Sequence, residues 1–314
     1  MSTQDTFLAI FNAIDFEKIK DHPNILIAAN FWDEDRFRAA KTCYGLMRAV
    51  DDLVDDYKSE HPVIDDVQKE KLITEVNEWI SMVLADAKNN IEHQDIIETF
   101  EVYRIPLASM KAFAKSMIYD ILNDGFPTMQ SYLDYARGAS VAPASIFIHL
   151  CGLTKKDGNY VKPAFDVKKT ATPCAIFSYL VHIIRDFQKD QLNNLNYFAD
   201  DLIAKYGLDR QKLSSMAHGT PIEDGFRQLI REYYNLADEY RLKTYDTIAA
   251  VKPYLEPRYK LSLDIIFNLY LMVFERIDPD HGTFTASELT PTADEIRQRV
   301  YETIKAFKDT PSSF

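Results

Sequence analysis

Glycine and proline are scarce in this chain. Nine glycines and 13 prolines in 314 residues leave little material for the tight turns of an all-β fold. Cysteine is scarcer still. Cys43, Cys151 and Cys174 lie far apart with no CxxC, which excludes a disulfide framework and a cysteine zinc site and suits buried thiols in a reducing compartment. Positive charge is also in deficit: 36 Lys and Arg against 48 Asp and Glu give a net charge of −12. That balance argues against nucleic acid as a partner and against a polybasic membrane anchor. An anionic substrate would therefore need metal ions or local arginines to hold it.

Other signals are missing too. There is no GxGxxG or GxxxxGK[ST], no low-complexity tract and no fixed-period repeat. The first 20 residues lack a basic region followed by a long apolar core, so no signal peptide is expected. The apolar runs at 171–184 and 261–274 are shorter than the ~20 residues of a membrane span. They read as buried core helices, and the protein is expected to be cytoplasmic.

What the chain does have is hydrophobic residues (46%) at helical spacing. Over 35–57, Phe37, Ala40, Tyr44, Met47 and Val50–Asp51 fall on one stripe at three- and four-residue steps. Similar patterns predict helices over 64–86, 93–103, 107–123, 128–136, 164–191, 197–206, 221–250, 255–277 and 291–308. Pro143 is expected to open or bend another helix after Gly138. Residues 155–163 and 278–292 read as loops, and no period-2 strand is evident. The expectation is one large all-α domain spanning 1–314.

Two acidic stripes carry the chemistry. "RAVDDLVDDY" (48–57) places Asp51 and Asp55 four apart, about one turn along the same helix face. Asp52 and Asp56 form a second pair rotated by ~100°. Four like charges so close oppose helix formation unless a cation neutralises them. Asp51 continues the apolar stripe, with Arg48 three residues before it. "YLVHIIRDFQKD" (179–190) repeats the arrangement: Asp186 and Asp190 are four apart, His182 lies one turn earlier, and Arg185 stands beside them. Facing one another across a bundle, Asp51/Asp55 and Asp186/Asp190 would offer hard oxygen ligands for Mg²⁺. A diphosphate would complete the coordination, with Arg48 and Arg185 as charge partners. The structural alternative is a solvated acidic face, which a single stripe would suit but a matched pair does not. A di-iron bundle would need Glu-x-x-His pairs, and the chain has none.

With both stripes in hand, the chain resembles the squalene/phytoene synthase family, the head-to-head trans-prenyltransferases. "YGLMRAVDDLVDDY" is similar to that family's first aspartate-rich motif, and "HIIRDFQKDQLNNLNYF" to its second. "FW" at 31–32 and "YARGASVAPASI" (135–146) agree as well, and the resemblance spans roughly 25–277. It implies an isoprenoid-synthase helical bundle around a central apolar pocket. It also implies two or three Mg²⁺ on Asp51, Asp55, Asp186 and Asp190, with His182 at a position where the family has a metal-binding Asn. Arg48 and Arg185 would bind substrate diphosphate, Tyr44 and Tyr135 would line the site, and Asp52 would support it from behind.

The implied reaction couples two farnesyl or geranylgeranyl diphosphates, through a cyclopropylcarbinyl diphosphate, to a squalene-, dehydrosqualene- or phytoene-type hydrocarbon. NADPH would distinguish the reduced product, although no motif for it is legible. A lipid product implies transient membrane contact, and oligomeric state is left open. The alternatives are a terpene cyclase acting on one prenyl diphosphate and a non-catalytic binding relative. His149, Cys151, Tyr233, Tyr234, Tyr240, Tyr245 and Tyr270 read as packing residues, with one or two of the tyrosines bordering the pocket. Arg258 is a minor candidate for phosphate contact.

Overall fold

The computed structural model describes residues 3–21, 24–61, 63–84 and 93–309. Helices dominate, as the spacing of apolar residues requires. In chain order they begin with α1 (Thr3–Ala13), α2 (Asn24–Ala29), α3 (Glu34–Glu60), α4 (Asp66–Leu84), α5 (Gln94–Val102), α6 (Leu107–Leu122), α7 (Met129–Ala136) and α8 (Ala142–Gly152). They continue with α9 (Val167–Arg185), α10 (Phe187–Leu192), α11 (Asp200–Lys205), α12 (Arg210–Ala217), α13 (Asp224–Val251), α14 (Pro257–Phe274), α15 (Ala286–Leu289) and α16 (Ala293–Ala306). Residues 85–86 of the helix expected over 64–86 lie outside the described residues.

Side-chain caps set the starts of the two helices that matter most. Asp33 accepts from the Arg36 amide at 3.0 Å to open α3, and Asp166 accepts from the Lys169 amide at 2.9 Å to open α9. Asp33 also accepts from the Tyr259 hydroxyl at 2.5 Å, which ties the start of α3 to α14. The buried apolar side chains form one contiguous cluster. α9 runs through it, packed against α8, α13 and α14. Its fully buried Phe177 meets Phe267 and Phe274 at 5.7 and 5.6 Å. Burial of such a ring contributes roughly 1.5–3 kcal/mol.

Three departures from the sequence reading have physical causes. The helix expected over 164–191 breaks at Asp186 (φ −90°, ψ 2°), which closes α9 and opens α10. Asp190 still bonds back to the Asp186 carbonyl at 2.8 Å, so the four-residue spacing survives. The loop over 155–163 contains a two-stranded hairpin, β1 (Thr154–Lys156) and β2 (Asn159–Val161), where no strand was expected. Three-residue strands carry no legible period. Only Asp157-Gly158, with φ of 52° and 80°, announces the turn. Helices α1, α2 and α12 also lie outside the expected set, being short or weakly patterned, and the expected loop over 278–292 contains the one-turn helix α15 (Ala286–Leu289), too short to show a period.

Between α7 and α8 the chain forms a π-helical turn, Arg137–Val141, before Pro143 in the first turn of α8. Such turns widen a helix locally and often sit beside functional sites. Gly138 within it lies directly against α6. A β-carbon there would stand 2.1 Å from Ser116 Oγ and 2.2 Å from the Ala112 carbonyl oxygen. Gly138→Ala is therefore expected to destabilise the protein by roughly 1–3 kcal/mol. Urea unfolding would show it, and an unchanged midpoint would mean that α6 and the turn separate freely.

Candidate active site

A cavity of about 350 Å³ lies between α3, α8, α9, α13 and α14, within the size range of small-molecule sites. α3 lines it from Ala40 through Tyr44 and Met47 to Arg48 and Asp51, and α9 from Thr170 through Cys174 and Ser178 to Tyr179 and His182. Each helix thus offers an apolar wall about 16–18 Å long, at 1.5 Å per residue. Both walls end in their acidic stripe, so the two stripes meet at one end of the cavity. Leu26, Phe147 and Leu263 add to its apolar lining.

The charges at that end are unevenly matched. Arg48 pairs with Asp51 at 3.2 Å and with Asp52. Arg185 grips Asp186 with two bonds, Nε–Oδ1 at 2.8 Å and Nη2–Oδ2 at 2.6 Å. Burial alone would raise Asp186, but these bonds and the guanidinium charge overcome it and hold the carboxyl below its usual range. Among the described residues no ion pair reaches Asp55 or Asp190. Burial, then the negative charges of Asp51 and Asp120, push Asp55 up to about 8. Burial, then Asp186, push Asp190 up to about 8, with Asp55 adding to it across the site. Asp51 rises to about 6, chiefly by burial and against the pull of Arg48. Of the second pair on α3, Asp56 is exposed, whereas the Asp52 side chain is about as exposed as that of Asp51.

Tyr44 lines the cavity as expected. Tyr135 does not. It is buried among aromatic rings, and its hydroxyl donates to Asp120 on α6. His182 borders the cavity edge-on to Tyr270, with ring centroids 5.0 Å apart. Its Nε2 is buried without a hydrogen-bond partner among the described residues. Burial, with Arg185 nearby, lowers the imidazole to about 3, so it is neutral. Tyr270 lines the cavity, whereas Tyr233 accepts from the Ala199 amide in the core at 2.8 Å and Tyr234 stacks on Phe274. His149 is a core residue bonded to the Tyr103 carbonyl at 2.9 Å, and Cys151 is buried beside it. Arg258 stands near Asp33 at the start of α14 and does not line the cavity.

Sequence reasoning passed over Lys58, Asp120, Tyr179 and Tyr197. Lys58 lies 3.6 Å from the Asp120 carboxylate, and Tyr179 and Tyr197 both feel the charges of Asp55 and Asp120. Two signals were available. Lys58 extends the Asp51–Asp55 stripe by three residues, and Tyr179 precedes His182 by three on the same face.

The donor set fits a divalent cation. It is rich in hard carboxylate oxygen, and two carboxyls with raised proton affinity show a deficit of positive charge. No three Asp, Glu, His or Cys side chains among the described residues converge on one point. Mg²⁺ does not require that, since it commonly takes one or two carboxylates and leaves its other positions to water and phosphate. The neutral His182 is a poorer partner for such an ion than a carboxylate oxygen. No helix among the described residues is long and apolar enough to cross a membrane.

The sequence model of the squalene/phytoene synthase family matches residues 20–294. No curated protein sequence matches the chain. Among solved structures the fold is similar to a dehydrosqualene synthase in complex with a ligand. That likeness has a TM-score of 0.65 and 12% identity over 97% of this chain and 98% of that one. It is also similar to squalene synthase HpnC from Alicyclobacillus acidocaldarius, with a TM-score of 0.64 and 12% identity over 87% and 96%. YisP from Bacillus subtilis subsp. subtilis strain 168 has a TM-score of 0.60 and 11% identity over 96% and 98%. At such identities these three structures speak for the fold alone.

Proposed function

Because the chain belongs to the squalene/phytoene synthase family and is a prenyltransferase, we propose that it condenses two prenyl diphosphates head to head in this cavity. The substrates would be farnesyl or geranylgeranyl diphosphate, with Mg²⁺ held by Asp51, Asp55, Asp186 and Asp190. The observation that carries this reading is the meeting of two acidic stripes near one end of an apolar cavity, with Asp55 and Asp190 close enough to repel and, among the described residues, in no ion pair.

When bound, Mg²⁺ supplies charge neutralisation for the departing diphosphate. The chain's own residues do the rest. The walls of α3, α8 and α9 hold the isoprenoid tails and keep water from electron-poor carbons. Arg48, half exposed, is held by pairs of the kind that contribute at most about 1 kcal/mol, so a diphosphate can draw it away. Arg185 is 22% exposed and gripped twice, so it stays on Asp186 and adds a fixed positive charge beside the site. Tyr44 and Tyr270 border the same end of the cavity and offer aromatic faces to a cation.

Incubation with farnesyl or geranylgeranyl diphosphate and Mg²⁺, with and without NADPH, followed by mass spectrometry, tests the proposal. A coupled C30 or C40 product, or its cyclopropyl diphosphate, is expected. Cyclic C15 or C20 products alone would overturn coupling in favour of a terpene cyclase.

A further inference from the structure

Positive charge, in deficit over the whole chain, collects in one place. Between Lys155 and Lys169 stand five lysines, Lys155, Lys156, Lys162, Lys168 and Lys169, against two aspartates, in a protein of net charge −12. All five are exposed. None joins an ion pair among the described residues, unlike Lys58, Lys205, Lys212 and Lys252 elsewhere. One of the two aspartates, Asp166, is already bonded to the Lys169 amide as the cap of α9.

These lysines stand beside an apolar groove. Arg104 and Lys162 line it together with Leu107, Pro163, Phe165 and Val167. Gly152 at the end of α8 seats its floor: a β-carbon there would stand 2.5 Å from the Phe165 ring and 2.9 Å from Pro163. In the hairpin, Thr154 pairs with Val161 and Lys156 with Asn159, so Lys156 and Val161 share the face turned away from the buried Tyr160. Large apolar side chains are exposed among the charges. Val161 and Leu107 are 40% exposed, and Tyr254, whose ring meets Phe165, is 43% exposed.

The patch lies at the end of the cavity remote from the aspartates. Thr170, next to Lys169 in the first turn of α9, lines the cavity, as does Val251 in the last turn of α13, three residues before Tyr254. His182, at the acidic end, is 12 residues further along α9, or about 18 Å. A lysine-rich loop is by default a solvated surface. Solubility alone gives no reason for lysines to gather on one segment of an acidic chain, or for Val161, Leu107 and Tyr254 to stand exposed beside them. Lysines interleaved with apolar side chains do match an anionic bilayer, where the charges meet headgroups and the apolar groups enter the boundary beneath.

We propose that the hairpin, the 162–169 segment and the neighbouring start of α6 form a docking surface for an anionic lipid bilayer, which turns the apolar end of the cavity toward the membrane. A hydrocarbon formed in the cavity then has lipid, not water, at the nearest surface. That consequence rests on the coupling reading above, whereas the docking itself does not.

Sedimentation of the full chain with vesicles tests the proposal. Binding is expected to vesicles of equal phosphatidylcholine and phosphatidylglycerol, and none to phosphatidylcholine alone. Salt at about 0.5 M should release the protein, because screening then confines charge attraction to a few ångströms. Lys156→Glu/Lys162→Glu should weaken binding at least about 25-fold, from roughly fivefold per lysine near an anionic surface. Lys305→Glu/Lys308→Glu, the same change of charge at exposed positions around the end of α16, should shift it less than about threefold. Equal binding to neutral vesicles, equal loss in the two variants, or wild-type binding by Lys156→Glu/Lys162→Glu would overturn the docking surface. So would a protein that binds no vesicle, which leaves an acidic protein as the partner of these lysines. If the hairpin variant does not fold, Lys168→Glu/Lys169→Glu replaces it with the same expected loss, since acidic residues in the first turn of a helix suit its dipole. The product assay keeps the two readings apart. A coupled product from a chain that ignores anionic vesicles sinks only the docking surface, whereas lysine-dependent binding without coupled product sinks only the coupling.

Discussion

Asp55→Asn is expected to lower product formation roughly 10²–10³-fold, the range seen when one preorganised electrostatic group is removed from a site, and to make the protein more stable. The two effects share one cause. Asp55 is walled by protein, repelled by Asp51 and Asp120, and raised to about 8. Native structure at neutral pH therefore either carries a costly charge or holds a proton that the reaction does not want. An amide of the same shape removes the repulsion, and the melting temperature should rise by roughly 2–4 °C. Asp190→Asn should behave alike, and the double variant should fall to the background rate. Differential scanning calorimetry beside the product assay checks both signs. A variant that loses stability along with activity would show that Asp55 is held by favourable contacts rather than kept for a ligand.

Stability of the metal-free protein is expected to fall as pH rises toward 8, and Mg²⁺ to restore it most where the fall is greatest. Asp55 and Asp190 titrate near 8 in the folded chain against 3.8 for the ordinary carboxyl. Between those values the folded state binds more protons than the unfolded one, so raising the pH costs stability. Their contribution is fully present below the unfolded value and is lost as pH passes through about 8. His182 acts oppositely. Lowered to about 3 from 6.5, it leaves the unfolded chain with more protons between those values, so its effect on stability improves with pH and ends near 6.5. The window from 6.5 to 8 therefore isolates the carboxylates. A cation that binds only the folded, ionised site adds about 2.7 kcal/mol at a hundredfold excess over its Kd. Melting curves at pH 5 and pH 8, with and without millimolar Mg²⁺, should show the larger upshift at pH 8. An equal upshift at both values, or a larger one at pH 5, would contradict a site built from Asp55 and Asp190.

Most of the helices, the cavity walls and both acidic stripes were legible before any coordinates. The reason is local. A residue's face on a helix follows from spacing alone, so Tyr44, Met47 and Asp51 had to share one wall, and Cys174, Ser178 and His182 another. Local spacing was also enough to bring the family resemblance to specific residues. It failed where an element was too short to show a period, as in the hairpin at Thr154–Val161, and where a helix broke at Asp186 without Gly or Pro to mark it.

Contacts between distant segments were decided only by the tertiary structure. Arg48 and Arg185, expected to wait for phosphate, are already engaged with aspartates, so the unmet charge falls on Asp55 and Asp190. Tyr135, expected to line the cavity, is instead buried among aromatic rings and bonded to Asp120. Asp120 on α6 comes within reach of Lys58 on α3 and Tyr135 on α7, a meeting of three segments up to 77 positions apart. Periodicity assigns a side chain to a face of its own helix; which other helix that face meets is set by how all the apolar faces bury one another at once.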